Sequence, residues 1–229
     1  MGEPQRIGAG ALRSVERILR ARGMNPQALP AIDDVDERTR LRQTDERIPP
    51  RYREAGADHP TVLKWLREVM TQAVPANPGS RPQVTTGPSL LMAGVTGAGK
   101  TYQAYGALRA LIQAGIAVRW DATTAADLYA DLRPHAGNDA ERILARVTRV
   151  PVLILDDLGA ARTSEWVEEI TYRLINQRYN RMLPTLITTN LAIGDLRAAL
   201  GDRVASRLAE MTERATFEAI DRRRHRPAA

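Results

Sequence analysis

Residues 94–101 read GVTGAGKT, with Gly94, Gly97 and Gly99 set ahead of Lys100 and Thr101. The spacing Gly-x-x-x-x-Gly-Lys-Thr is that of a phosphate-binding loop. Backbone N–H groups must turn inward around phosphate oxygens there, and glycine supplies backbone angles that side chains forbid. A helix starting at once after the loop adds a positive partial charge at its first turn. The expected contacts to a nucleoside triphosphate run from Gly94, Val95, Thr96, Gly97, Ala98 and Gly99 to Lys100, Thr101 and Tyr102. Lys100 would reach the β- and γ-phosphates, and the Thr101 hydroxyl would ligate Mg2+. ATP and Mg2+ are therefore the expected cofactors.

Three further groups fit the same chemistry. VLILDDLG is an apolar strand that ends in Asp156 and Asp157. Asp156 would hold the metal through water, and Asp157 would position or deprotonate the attacking water. TLITTN is a strand with a polar end, able to set an amide beside the γ-phosphate. Asn190 is the first candidate, ahead of Thr188 and Thr189. In GDRVASRLAE, Arg203 and Arg207 lie four apart and share one helix face. Either the pair forms a solvated basic face, or one of them stabilises transition-state charge on a phosphate held by a neighbouring subunit.

These groups need a scaffold, and the hydrophobic pattern supplies one. From Ser89 onward, short apolar runs alternate with helical periodicities. The expected strands are 89–94, 116–122, 150–159, 183–190 and 215–220. The expected helices are 100–115, 125–133, 138–149 and 164–182, the last with Ser164 as N-cap and Trp166, Ile170 and Leu174 inward. Residues 194–212 give one or two more. This alternation implies a parallel sheet with helices on both faces, a three-layer αβα domain. Upstream, 60–74 is an amphipathic helix with Val62, Leu66, Val69 and Ala73 on one side and Pro60 near its start. Residues 75–88 are a loop by composition. Residues 11–22 form a helix with an apolar stripe of Leu12, Val15 and Leu19, and residues 33–47 are mostly charged with little apolar content.

Composition narrows the classes. At 229 residues and 43% hydrophobic, the chain can bury a real core. No apolar run reaches the length of a membrane span, and the N-terminus lacks the apolar segment of a signal peptide. A cytoplasmic protein with no membrane contact is the expectation. With no cysteine, disulfides, zinc–thiolate sites and thiol catalysis are excluded. His59, His135 and His225 are scattered and form no ligand pair. The net charge of +6 suits a polyanionic partner, but only Lys64 and Lys100 are lysines, so a coding bias toward arginine explains the charge equally well.

The order GVTGAGKT, VLILDDLG, TLITTN, GDRVASRL resembles AAA+ ATPases, and in particular the DnaC/IstB-like helicase-loader family. IPPRYREA, ahead of a helix and the phosphate loop, is similar to the segment leading into that family's core. The resemblance covers roughly residues 48–220. It implies a P-loop AAA+ core with Asn190 as sensor 1. Arg207 would be an arginine finger acting in trans, with Arg203 as a supporting or alternative finger. Subunits would associate in the presence of ATP to complete each site. Partners would be a replicative DNA helicase and single-stranded DNA, or a transposase and duplex DNA. Asp157 stands where most AAA+ enzymes carry glutamate, one methylene longer, so slow hydrolysis is expected. Only 22 residues follow Arg207, too few for a helical C-terminal lid.

The expected division is a helical partner-binding extension over 1–47, the AAA+ domain over 48–220 and a basic tail over 221–229. The apolar stripe of the extension could dock on a partner helix or pack on its own core. Candidate DNA contacts are Arg133, Arg142 and Arg146, with Arg222 to Arg226 of the tail. Two other readings stand beside an ATP-driven loader: a small-molecule P-loop kinase, and a protein that uses ATP as a switch with negligible hydrolysis.

Overall fold

The computed structural model describes residues 47–133, 139–160 and 164–218. The expected extension over 1–47, with Leu12, Val15 and Leu19, therefore lies almost wholly outside the described residues. So do His135, His225 and the tail arginines Arg222 to Arg226.

Five parallel strands form the sheet: β1 (Ser89–Gly94), β2 (Trp120–Thr124), β3 (Val152–Asp156), β4 (Thr185–Thr189) and β5 (Thr212–Phe217). Their order is β2-β3-β4-β1-β5. β1 pairs with β4 on one side, Leu90 opposite Leu186, and with β5 on the other, Ser89 opposite Thr212. Because alternate side chains of a strand leave opposite faces, each strand feeds two cores. Leu90, Met92, Ile154 and Leu186 enter one. Leu91, Leu153, Leu155 and Ile187 enter the other.

The first core is closed by α1 (Pro60–Gln72) and α2 (Lys100–Gln113). Pro60 opens α1, and the His59 ring caps it by accepting from the Thr61 amide. Val62, Trp65, Leu66 and Val69 are buried, each contributing about 2 kcal/mol on the usual area scale. The Trp65 indole N–H donates to Pro88 O at 2.7 Å. The second core is closed by α3 (Ala125–Leu132), α4 (Ala140–Arg149), α5 (Glu165–Asn180), α6 (Leu196–Leu200) and α7 (Asp202–Met211). The side chains of Thr124, Asp139 and Ser164 cap α3, α4 and α5. Gly201 separates α6 from α7, so 194–212 is two helices. Of the described residues after α7, β5 is the only regular element.

Two strands are displaced from their expected places. β2 starts at Trp120 instead of Ile116, because Ala117 bonds to Pro82 and Val84 and is taken out of reach of β3. β5 runs from Thr212 instead of Ala215, in register with all six residues of β1. On α5, Ile170 and Leu174 are buried as expected, but Trp166 is half-buried with its ring edge-on to Tyr129. Val167, Thr171 and Arg178 are buried instead.

Residues 47–58 pass across α2 as a strap. Ile48 and Ala55 are fully buried, and Tyr52 stacks on Tyr105 at 4.7 Å. The Gln103 side chain accepts from the amides of Asp58 and His59 and donates to Asp58 Oδ1. Gly106 permits this approach: a Cβ there would lie 2.3 Å from Gly56 C and 2.5 Å from Gly56 O. Gly→Ala inside a helix ordinarily stabilises by about 1 kcal/mol. Here the sign reverses. Gly106→Ala should lower stability by about 1–3 kcal/mol through overpacking against backbone, read as a lower denaturation midpoint with an unchanged slope. A raised midpoint would show that the strap yields without cost.

Candidate functional site

β1 ends at Gly94, and the chain turns through Gly97 (φ 87°) and Gly99 (φ 95°) before α2 begins at Lys100. Both glycines hold left-handed backbone that other residues resist. Gly94 answers a different need: a Cβ there would sit 2.4 Å from Phe217 O, so the first glycine of the motif is required by the end of β5. The helices that begin beside side-chain caps contrast with α2, whose first turn receives no side-chain cap. Its N–H groups face the loop with the positive end of the helix behind them.

Lys100 is 5% exposed, and its ammonium donates to Gly94 O (2.7 Å), Val95 O (2.9 Å) and Asn190 Oδ1 (2.8 Å). Parallel pairing of β4 with β1 delivers Asn190 to this point. The other end of the same amide donates to Asp157 Oδ1 at 3.1 Å. Asn190 thus bridges the loop lysine and the second acid, and of the three polar residues ending β4 it is the one that contacts both.

On the other side of the loop, Thr101 Oγ1 donates to Asp156 Oδ1 and Oδ2 at 2.9 and 3.2 Å. Thr188 Oγ1 also donates to Asp156, while accepting from the Asp157 amide at 2.9 Å. Burial is the largest influence on Asp156 and pushes its carboxyl above the usual value; the hydrogen bonds from Thr188 and Thr101 oppose this, Asp157 adds to it and Lys100 opposes it. Asp157 adopts φ 54°, a left-handed conformation that turns its carboxylate toward Asn190. Thr188, ranked behind Asn190 by the sequence pattern, contacts both acids. As one of three threonines in a five-residue strand, it carries no local signal that sets it above its neighbours.

A hydroxyl and a carboxylate already in contact are the hard-oxygen donors that Mg2+ takes. Among the described residues no group of three or more His, Cys, Asp or Glu gathers around one point. A metal at Thr101 and Asp156 would therefore complete its shell with phosphate and water, the usual habit of Mg2+. The glycine turn, the uncapped helix start and the lysine fit a triphosphate in the same way.

Tyr102 points away from the loop core, its hydroxyl donating to Glu54 O in the strap at 2.9 Å. Val95 is 45% exposed on the loop's outer side. Arg203 and Arg207 are not brought to this cluster. They lie along α7 against α5, the Arg203 guanidinium 3.8 Å from the Tyr172 ring centre and that of Arg207 4.6 Å from Tyr179. Arg142 and Arg146 are exposed on α4, Arg146 paired with Asp121 at 3.2 Å, and Arg133 is exposed at the end of α3.

A family model described as IstB-like ATP binding protein matches residues 82–220. The replicative helicase loader DnaC of Escherichia coli strain K12 is 25% identical over 123 residues, 52% of this chain and 49% of that protein. The chain thus matches about half the length of that curated relative. A crystal structure of the DnaC helicase loader aligns with TM-score 0.59 and 30% identity, covering 74% of this chain and 100% of that one. A crystal structure of DnaI aligns with TM-score 0.58 at 20% identity, over 79% of this chain and 94% of that one. The replication initiator DnaA bound to AMPPCP and single-stranded DNA aligns with TM-score 0.59 at 16% identity, over 76% and 52%. These last two share the fold. Among the described residues no helix is long and apolar enough to cross a membrane.

Proposed function

The chain belongs to the IstB-like ATP-binding proteins, within the AAA+ class, and on that premise we propose that it hydrolyses ATP to load a replicative helicase onto single-stranded DNA in the cytoplasm. The observation that carries the hydrolytic part is the convergence of Lys100, Thr101, Asp156, Asp157 and Asn190 at one end of the parallel sheet. Lys100 exchanges the carbonyls of Gly94 and Val95 for phosphate oxygens. Asn190 turns from Lys100 and Asp157 toward the terminal phosphate. Asp157 then orients the attacking water and accepts its proton. Thr101 and Asp156 hold Mg2+, which neutralises charge on the phosphates when bound. Arg207, absent from its own chain's cluster, acts on the nucleotide of a neighbouring copy, so the protein assembles when ATP is present.

The loader role is supported by likeness to the DnaC structure, which spans that whole chain. The resemblance to IstB-like proteins leaves a second reading, a transposition regulator acting with a transposase on duplex DNA. An affinity pull-down from host lysate separates them, run with a slowly hydrolysed ATP analogue and without nucleotide. Nucleotide-dependent recovery of a replicative helicase supports the loader, and recovery of a transposase moves the protein to the second reading. DNA affinity should fall steeply with salt in either case.

Thr188→Val tests the hydrolytic site. It keeps the shape of the side chain but removes the hydroxyl that holds Asp156 and the Asp157 amide. Turnover should fall roughly tenfold through misplacement of the two acids, while ADP affinity stays within about twofold. Turnover at the wild-type rate would remove Thr188 from the site.

A further inference from the structure

α5 and α7 run side by side with matched spacings. Tyr172, Asn176 and Tyr179 follow one another on α5 at one helical face, and Arg203, Arg207 and Glu210 do the same on α7. Arg203 lies over Tyr172. Arg207 is held more fully. Its guanidinium lies over Tyr179, its Nε donates to Asn176 Oδ1 at 3.2 Å, and its NH1 donates to both Glu210 oxygens at 3.3 and 3.2 Å. The Tyr179 hydroxyl closes the arrangement by donating to Glu210 Oε2 at 2.7 Å. The Arg207 side chain remains 33% exposed, so its outer edge is open to a neighbour.

A free arginine side chain loses substantial rotamer entropy when fixed. An aromatic face, an amide oxygen and a carboxylate that already fix it remove much of that loss from the moment of contact. Cation–π stacking also leaves the guanidinium charged and the remaining N–H donors in its own plane available to phosphate.

We propose that Tyr179, with Asn176, is a positioning residue for Arg207, presenting that arginine to the nucleotide of an adjacent copy of this chain. Tyr172 serves Arg203 in the same manner. The inference rests on the reading of Arg207 as acting in trans.

The test is steady-state ATPase assay of the full chain with five variants. Tyr179→Ala should lower kcat about tenfold and leave the Kd for ADP within about twofold, because each chain's own loop is untouched. Tyr179→Phe keeps the ring and should recover at least half of the wild-type kcat. Asn176→Ala, which removes no aromatic packing, should lower kcat about threefold and carries the test if Tyr179→Ala proves unfolded by circular dichroism. Mixing Tyr179→Ala with Asp157→Asn should give more turnover than the two measured apart, since the second variant supplies an ordered Arg207 to the intact sites of the first. Arg207→Ala mixed with Asp157→Asn is the reference. No gain there overturns the in-trans reading itself. A gain there, with none for the Tyr179 mixture or with Tyr179→Ala and Asn176→Ala at wild-type kcat, overturns the positioning role alone.

Discussion

Lys100→Ala should bind ATP at least about a hundredfold more weakly than the wild type. The reason lies in what the side chain does before nucleotide arrives. The residue is 5% exposed, and its ammonium donates to Gly94 O, Val95 O and Asn190 Oδ1. Phosphate replaces these neutral acceptors with charged ones, and a charge-assisted contact of that kind is worth roughly 3 kcal/mol, which is about two decades in Kd. Alanine also leaves two loop carbonyls without their donor and frees Asn190 from one end of its bridge. The folded protein should therefore lose about 1–3 kcal/mol as well, and ATP should no longer raise its melting temperature. Titration with a fluorescent nucleotide, paired with thermal unfolding, measures both. An affinity within threefold of wild type would mean that triphosphate binds away from this loop.

Arg178→Met should be the most destabilising single change in the described core. Arg178 is wholly buried, and its donors meet neutral oxygens. Its guanidinium donates to Val147 O, Val150 O and Pro184 O at 2.8 Å and to Pro151 O at 3.4 Å, and its Nε donates to Thr185 Oγ1 at 2.8 Å. One side chain thus ties the end of α4, the approach to β3 and the start of β4 to α5. Burial is the main influence that lowers its pKa to about 9, with the Arg181 charge adding to it, so it stays protonated at neutral pH. Methionine fills much of the volume and leaves several buried carbonyls unpaired, at about 4 kcal/mol in total. For a domain of this size that is a fall of about 10 °C in melting temperature. Arg178→Lys, with three donors for five acceptors, should fall between the two. A methionine variant as stable as the wild type would show that those carbonyls find water.

The consequence would reach the site. β4 carries Thr188 and leads directly into Asn190, and its first residue is held by Arg178. A loosened β4 start should reduce turnover even where the chain remains folded.

The phosphate loop, the acidic end of β3 and the polar end of β4 were legible from residue types and spacing, because each is a local pattern: a glycine turn between an apolar run and a helix, or an apolar run closed by carboxylates. The alternation of strand and helix was legible for the same reason, since burial repeats every two or every 3.6 residues. Resemblance to a family added Arg207, which no local pattern singles out from a solvated face. Tertiary structure alone decided which strand lies beside which. Pairing of β4 with β1 sets Asn190 against Lys100, ninety positions earlier. The start of β2 depended on whether residues near 82 or β3 would claim Ala117. The burial of Arg178 depended on five acceptors from three segments. The place of Arg203 and Arg207 depended on α7 settling against α5. Spacing along the chain determines what shares a face within one element. Adjacency between elements is settled by the sum of burial and hydrogen bonding over the whole core, and no short window of sequence contains that sum.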